Sequence, residues 1–104
     1  MAELLFSPED SEQAAMAIGK LAKATRLEPG CVRYVAAQDL GEPGRFHLSE
    51  LWDDIGALAR HFEMPHMAEF SAAVRPLGYS APFIKRIEIA QLSDFKPSDL
   101  KQYR

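Results

Sequence analysis

Two β-prone stretches, CVRYVAAQ at 31–38 and RFHLSELW at 45–52, flank the turn-forming DLGEPG at 39–44. Strand-like runs bounded by Asp, Gly and Pro in this way spell a β-hairpin. A symmetric turn sets Tyr34 opposite Glu50, Val32 opposite Trp52 and Gln38 opposite Phe46. Side chains alternate along a strand, so these residues share one face with Ala36 and Leu48. The other face carries Arg33, Val35, His47, Ser49 and Leu51. Neither face is wholly polar, and a sheet that is part apolar on both sides needs cover on both. The chain's own helices can cover one face. The second calls for a partner subunit.

Helical periodicity lies on either side of the hairpin. AELLF at 2–6 is a short apolar strand, and Ser7-Pro8 with Asp10 reads as a capping box. Asp10 with Gln13 is an alternative start. Ala14, Ala15, Ile18, Leu21, Ala22 and Thr25 then recur at helical spacing, until EPG at 28–30 stops the helix. After the hairpin, Asp53 or Asp54 caps a helix whose inward stripe is Ile55, Leu58, Ala59 and Phe62. Pro65 breaks that helix and begins another, with Met67 and Phe70 facing in. RPLGYSAP at 75–82 is turn-rich, and FIKRIEIAQL at 83–92 alternates as a last strand. The order is β-α-β-β-α-β, an α+β ferredoxin-like arrangement. It implies a four-stranded antiparallel sheet with helices on one face. The domain is expected to span residues 1–92, with 93–104 a polar C-terminal extension.

Length and charge narrow the function. A chain of 104 residues fits one domain. Its net charge is −3 and it has no basic block, which argues against a nucleic-acid partner. No run of 18 apolar residues and no charged-then-apolar leader is present, so no membrane partner is expected. The single cysteine, Cys31, cannot form an intrachain disulfide and suits a reducing, cytoplasmic setting. It is read as a small buried hydrophobe.

The chemistry-bearing residues crowd into HLSELWDDIGALARHFEMPHMAEF at 47–70, which holds the only Trp and all three His. Trp52 ends the third strand, either as a core aromatic or as a wall that stacks a flat ligand. His61 flanks the helical stripe next to Phe62. His66 follows the break at Pro65, where it can turn inward. Glu50 sits on a mostly apolar face, where a carboxylate needs a hydrogen bond or gains a proton. It either holds a neighbour such as Tyr34 or acts as a base. His47 is on the opposite face. His61 and His66 are five apart across a proline and lack the i, i+4 spacing of a helical metal pair, so no metal is expected. No dinucleotide fingerprint is present either.

Three segments together, EPGCVRY at 28–34, RFHLSELWDD at 45–54 and ALARHFEMPHMAEF at 57–70, resemble the antibiotic biosynthesis monooxygenase family. The resemblance runs from about residue 2 to 92. It implies a homodimeric α+β barrel whose sheets pack face to face, with a pocket between sheet and helices in each subunit. It also implies a cofactor-independent monooxygenase that oxidises a small aromatic, quinol or polyketide-like substrate with O2. On this reading Trp52, His61, His66 and Glu50 are the catalytic candidates. Tyr34, Phe46, Leu48, Phe62 and Phe70 line the substrate. The chain departs from the family in having no Asn, a residue that polyketide-oxidising and haem-degrading members use in their pockets. It also has His61 and Ser71 where haem-degrading members carry their second Trp and axial His, which argues against haem degradation. A non-catalytic dimer of the same fold that binds a small molecule is the alternative, and a proton-transfer role is a third.

Overall fold

Alternation and helical periodicity resolve into four strands and three helices in a computed structural model that describes residues 1–103. In chain order these are β1 (Ala2–Leu5), α1 (Ser11–Thr25), β2 (Cys31–Gln38), β3 (Arg45–Trp52), α2 (Ile55–His61), α3 (Pro65–Val74) and β4 (Ser80–Ile84). The sheet order is β2-β3-β1-β4, with every neighbouring pair antiparallel. This is the ferredoxin-like α+β fold that the sequence predicts. Among the described residues no helix is long and apolar enough to cross a membrane.

The core lies between the sheet and the α1–α3 layer. Ala14, Ile18 and Leu21 of α1 and Phe70 and Val74 of α3 close over Leu4, Phe46 and Leu48, joined by Phe6 just beyond β1. The predicted stripe of α1 is the buried one, with Thr25 fully enclosed at its end. On the opposite sheet face, Arg45 reaches Glu3 at 2.7 Å and also pairs with Glu42, while His47 meets Asp39 at 2.8 Å. Val35 and Leu51 are half-buried there, with Ser49 and Arg33 exposed.

Four expectations need correction. First, the last strand is Ser80–Ile84, not 83–92. Its partner β1 has only four residues, and the ladder ends where Lys85 N–H donates to Met1 O at 2.9 Å. The alternating residues that follow have no strand to pair with, so Ile87, Ile89 and Leu92 are exposed. Second, the hairpin has the expected Tyr34–Glu50 and Gln38–Phe46 pairs, but an irregularity between Cys31 and Arg33 sets Cys31, not Val32, opposite Trp52. Val32 is exposed as a result.

Third, neither Ser7 nor Asp10 makes a side-chain cap; residues 8–10 form a 3-10 turn ahead of α1. Asp54, in contrast, caps α2 by accepting from Ala57 N–H at 2.8 Å. Fourth, α2 is rotated from its predicted stripe. Ala57 and His61 face in, while Ile55, Ala59 and Phe62 face out and Leu58 is half-buried. The reason is close packing on Gly30, where a Cβ would lie 2.5 Å from the Ala57 Cβ. Only the small Ala57 fits against that turn, and His61 follows it one helical turn later on the same face.

Candidate active site

The end of α1 builds the first part of the site. After Thr25 the chain tightens, with Glu28 N–H donating to Thr25 O at 3.0 Å and Cys31 N–H donating to Glu28 O at 3.2 Å. Gly30 turns the chain at φ +84°, a left-handed conformation that glycine adopts without strain. Asp53 N–H donates to Gly30 O at 2.8 Å and ties the end of β3 to the same turn. Glu28 is thereby held inward, with only 7% of its surface exposed.

The two helices that follow supply the other parts. Packing of Ala57 on Gly30 carries His61 into the interior, where it is 2% exposed. A tight turn then returns Met64 N–H to His61 O at 3.1 Å, and Pro65 opens α3. This sets His66 in the first turn of α3, facing back toward Glu28. One carboxylate oxygen, Glu28 Oε2, lies 2.7 Å from His61 Nδ1 and 2.6 Å from His66 Nε2. A carboxylate without its proton can only accept, so toward that form each of these nitrogens would be the donor. The other carboxylate oxygen, Oε1, is buried with no hydrogen-bond partner, as is the Thr25 hydroxyl.

Aromatic rings surround His61. Trp52 lies 4.9 Å away between centroids, Phe62 5.3 Å, Tyr34 5.8 Å and His66 6.2 Å. Trp52 Nε1–H donates to Glu50 Oε1 at 3.1 Å, so Glu50 holds the indole rather than Tyr34. Burial, reinforced by the Glu50 carboxylate, pushes the Tyr34 phenol far above its usual range, and it stays protonated. The Cys31 thiol is also raised, by burial first and then by the charges of Glu28 and Glu50.

Trp52, His61 and His66 therefore meet in one place, with Tyr34 and Glu50 beside them. The other expected lining residues do not all join them. Phe46 and Leu48 belong to the main core, where Phe46 packs edge-on to Phe6 at 5.9 Å. Phe62 touches His61 from outside and is 63% exposed, because α2 is rotated. Phe70 is buried and lines a hollow beside His66, between α1 and α3. That hollow measures about 90 Å³. It has room for a few water molecules and is far smaller than the roughly 300 Å³ at the lower end for ligand pockets. A larger open cleft of about 480 Å³ lies by Phe6, Pro43 and Tyr79, with no histidine and with Glu42 as its one carboxylate.

Sequence reasoning missed Glu28, the residue at the centre of the site. It lies inside EPG, which reads as a helix stop, and it is 33 and 38 residues from its two histidines. No local pattern connects such distant positions. The one available signal was an acidic residue next to a turn that must pack tightly.

The model of the antibiotic biosynthesis monooxygenase family matches residues 1–73. Among solved structures, a Deinococcus radiodurans protein assigned by name to antibiotic biosynthesis monooxygenases is 28% identical with a TM-score of 0.69. The match covers 88% of this chain and 95% of that one. PA3566 of Pseudomonas aeruginosa is 27% identical with a TM-score of 0.71, over 84% of this chain and 90% of its own. The uncharacterised Synechocystis protein sll1783 is 32% identical over 63 residues, which is 61% of this chain. The matched part spans only 43% of that relative's length.

Proposed function

Since this chain belongs to the antibiotic biosynthesis monooxygenase family, we propose that it is a cofactor-independent monooxygenase oxidising a small aromatic or quinol substrate with O2. The observation that carries this reading is the Glu28 carboxylate buried between His61 and His66, beneath Trp52. Glu28 holds the proton of each neutral imidazole on the nitrogen that faces it. This leaves a lone pair on His61 Nε2 and on His66 Nδ1. A carboxylate that orients an imidazole and balances its charge after proton uptake makes an effective general base.

In this scheme an imidazole removes a proton from an acidic C–H or O–H of the substrate. The resulting carbanion or phenolate reduces O2 directly. For an activated methylene, one oxygen atom becomes the new carbonyl and the other leaves with the two methylene hydrogens as water. His66 is the better placed base, because its side chain is 18% exposed whereas that of His61 is 3% exposed. Trp52, held by Glu50, supplies a flat wall for an aromatic ring. Phe62, exposed on the outer side of His61, is free to move as a substrate enters. The protein works in the cytoplasm as a homodimer joined through the sheet face of Val35, Ser49 and Leu51.

A second reading, a dimer that binds a small molecule without turnover, is favoured by two observations. The rings pack directly on one another, and the chain has no Asn. Oxygen uptake with a panel of hydroquinones and anthrones, using chelator-treated protein, separates the two. The monooxygenase reading expects saturable uptake above buffer autoxidation, reduced about 10²–10⁴-fold by His66→Ala, the range for losing a general base. Ligand binding with no uptake across the panel favours the second reading.

A further inference from the structure

Glu28, His61 and His66 bring one carboxylate oxygen and two imidazole nitrogens to a single point, all within 4.8 Å of one another. Two imidazoles and a carboxylate form a donor set that zinc takes in three-ligand sites, leaving a further position for water. Imidazole nitrogen suits borderline first-row ions generally. We propose that Glu28 Oε2, His61 Nδ1 and His66 Nε2 bind one divalent transition-metal ion of the zinc or cobalt type, each imidazole proton passing to the ring nitrogen that faces away from Glu28, His61 Nε2 and His66 Nδ1.

The carboxylate is short of partners. Its Oε2 serves both histidines, while Oε1 is buried and bonded to nothing. A buried carboxylate oxygen without a donor is costly, and a cation supplies what it lacks, through one oxygen or both. The geometry is close to what coordination needs. Ligand atoms around a tetrahedral ion at about 2.1 Å stand about 3.4 Å apart, whereas the nitrogens now sit 2.7 and 2.6 Å from Oε2. Inserting the ion therefore requires each nitrogen to draw back by somewhat under an ångström.

The surroundings permit that adjustment. His66 lies in the first turn of α3 and is partly open, and the hollow of about 90 Å³ lies at its side. This provides an entry path and room for a water ligand. Glu28 and His61 are mounted firmly, the one by the Gly30 turn and the other by α2 packing on it. Two nitrogen donors out of three select against Mg²⁺ and Ca²⁺, which take oxygen ligands. Metal and protons compete for the same atoms, so a loaded site lacks the Glu28-oriented base.

The test uses the full chain after chelator treatment, titrated with Co²⁺ and followed by the visible d–d bands of the bound ion, with Zn²⁺ then added as competitor. The expected result is one Co²⁺ per chain, displaced by one Zn²⁺. His66→Ala and His66→Gln, both at the partly exposed ligand, should weaken binding at least tenfold. His47→Ala, which removes the only other histidine, should leave it unchanged. The proposal is overturned if the parent protein shows no stoichiometric Co²⁺ band. It is equally overturned if both His66 variants bind as the parent does, or if His47→Ala abolishes binding. The readout is metal binding alone, so its failure leaves the proposed oxidation standing, and a failed oxidation leaves the metal site standing.

Discussion

Replacing Gly30 with alanine tests whether the turn after α1 sets the position of the site. Two separate costs apply. Gly30 has φ +84°, and a residue with a Cβ in left-handed backbone costs about 1–2 kcal/mol. The new Cβ would also lie 2.5 Å from that of Ala57, well inside the roughly 3.5–4.0 Å of carbon–carbon contact. Relief requires α2 to move away, and overpacking of this kind costs about 1–3 kcal/mol. The sum is about 2–5 kcal/mol, a large part of the roughly 5–15 kcal/mol that keeps a domain folded. Urea unfolding measures it as a lower midpoint at unchanged slope. His61 lies one helical turn beyond Ala57, so the same movement draws Nδ1 away from Glu28 and should impair whatever the site does. A double-mutant cycle with Ala57→Gly separates the two costs. Ala57→Gly alone loses about 1 kcal/mol of helix propensity. Combined with Gly30→Ala it should recover the steric share and leave the backbone share. A Gly30→Ala protein within about 0.5 kcal/mol of the parent, the usual range for neutral surface changes, would refute the reasoning. So would a cycle with no coupling.

Further outcomes follow from other contacts. Asp54→Ala removes the α2 cap and should cost about 1 kcal/mol in the same urea assay, with Asp53→Ala costing clearly less. Glu28→Gln should cost about 1.5–3 kcal/mol, the worth of hydrogen bonds to a charged group; an unchanged melting temperature would mean that the two histidines do not depend on it. The raised thiol of Cys31 holds less thiolate at neutral pH than a free thiol does. Iodoacetamide should therefore label it more slowly in folded than in urea-unfolded protein, with the folded rate still climbing at pH values where the unfolded rate has levelled off. Leu51→Glu on the half-buried sheet face should convert the proposed dimer to monomer in sedimentation, and a parent protein that is already monomeric at micromolar concentration would count against that interface.

Local sequence patterns were sufficient for the layout of the fold. The alternation in CVRYVAAQ and RFHLSELW and the Ile18–Leu21–Thr25 spacing reflect repeats of two and 3.6 residues, and the restart at Pro65 reflects the fixed backbone angle of proline; chain-local geometry reads all three directly. Asp54, one of the two predicted caps for α2, is legible for the same reason, since a cap reaches only three residues ahead. The full extent of β4 was not legible. The alternation in FIKRIEIAQL is real, but a strand also needs a neighbour, and β1 is too short to accompany it. The facing of α2 was misread because its apolar residues outline one stripe while its packing obeys another. Ile55 and Phe62 suggest burial by hydrophobicity, yet the space against Gly30 admits only Ala57, and that steric limit rotates the helix.

The same division runs through the site. The sequence by itself raised the expectation that Trp52, His61 and His66 converge, because a strand end, one short helix and the start of the next follow in close succession, and the folded chain brings their rings together. Tertiary structure alone decided that Glu28 stands between the two histidines. That contact links the end of α1 to residues 33 and 38 positions later. It exists because a left-handed glycine lets α2 approach until His61 reaches the carboxylate. Packing distance between elements, unlike periodicity within one, leaves no repeat in the sequence to be read.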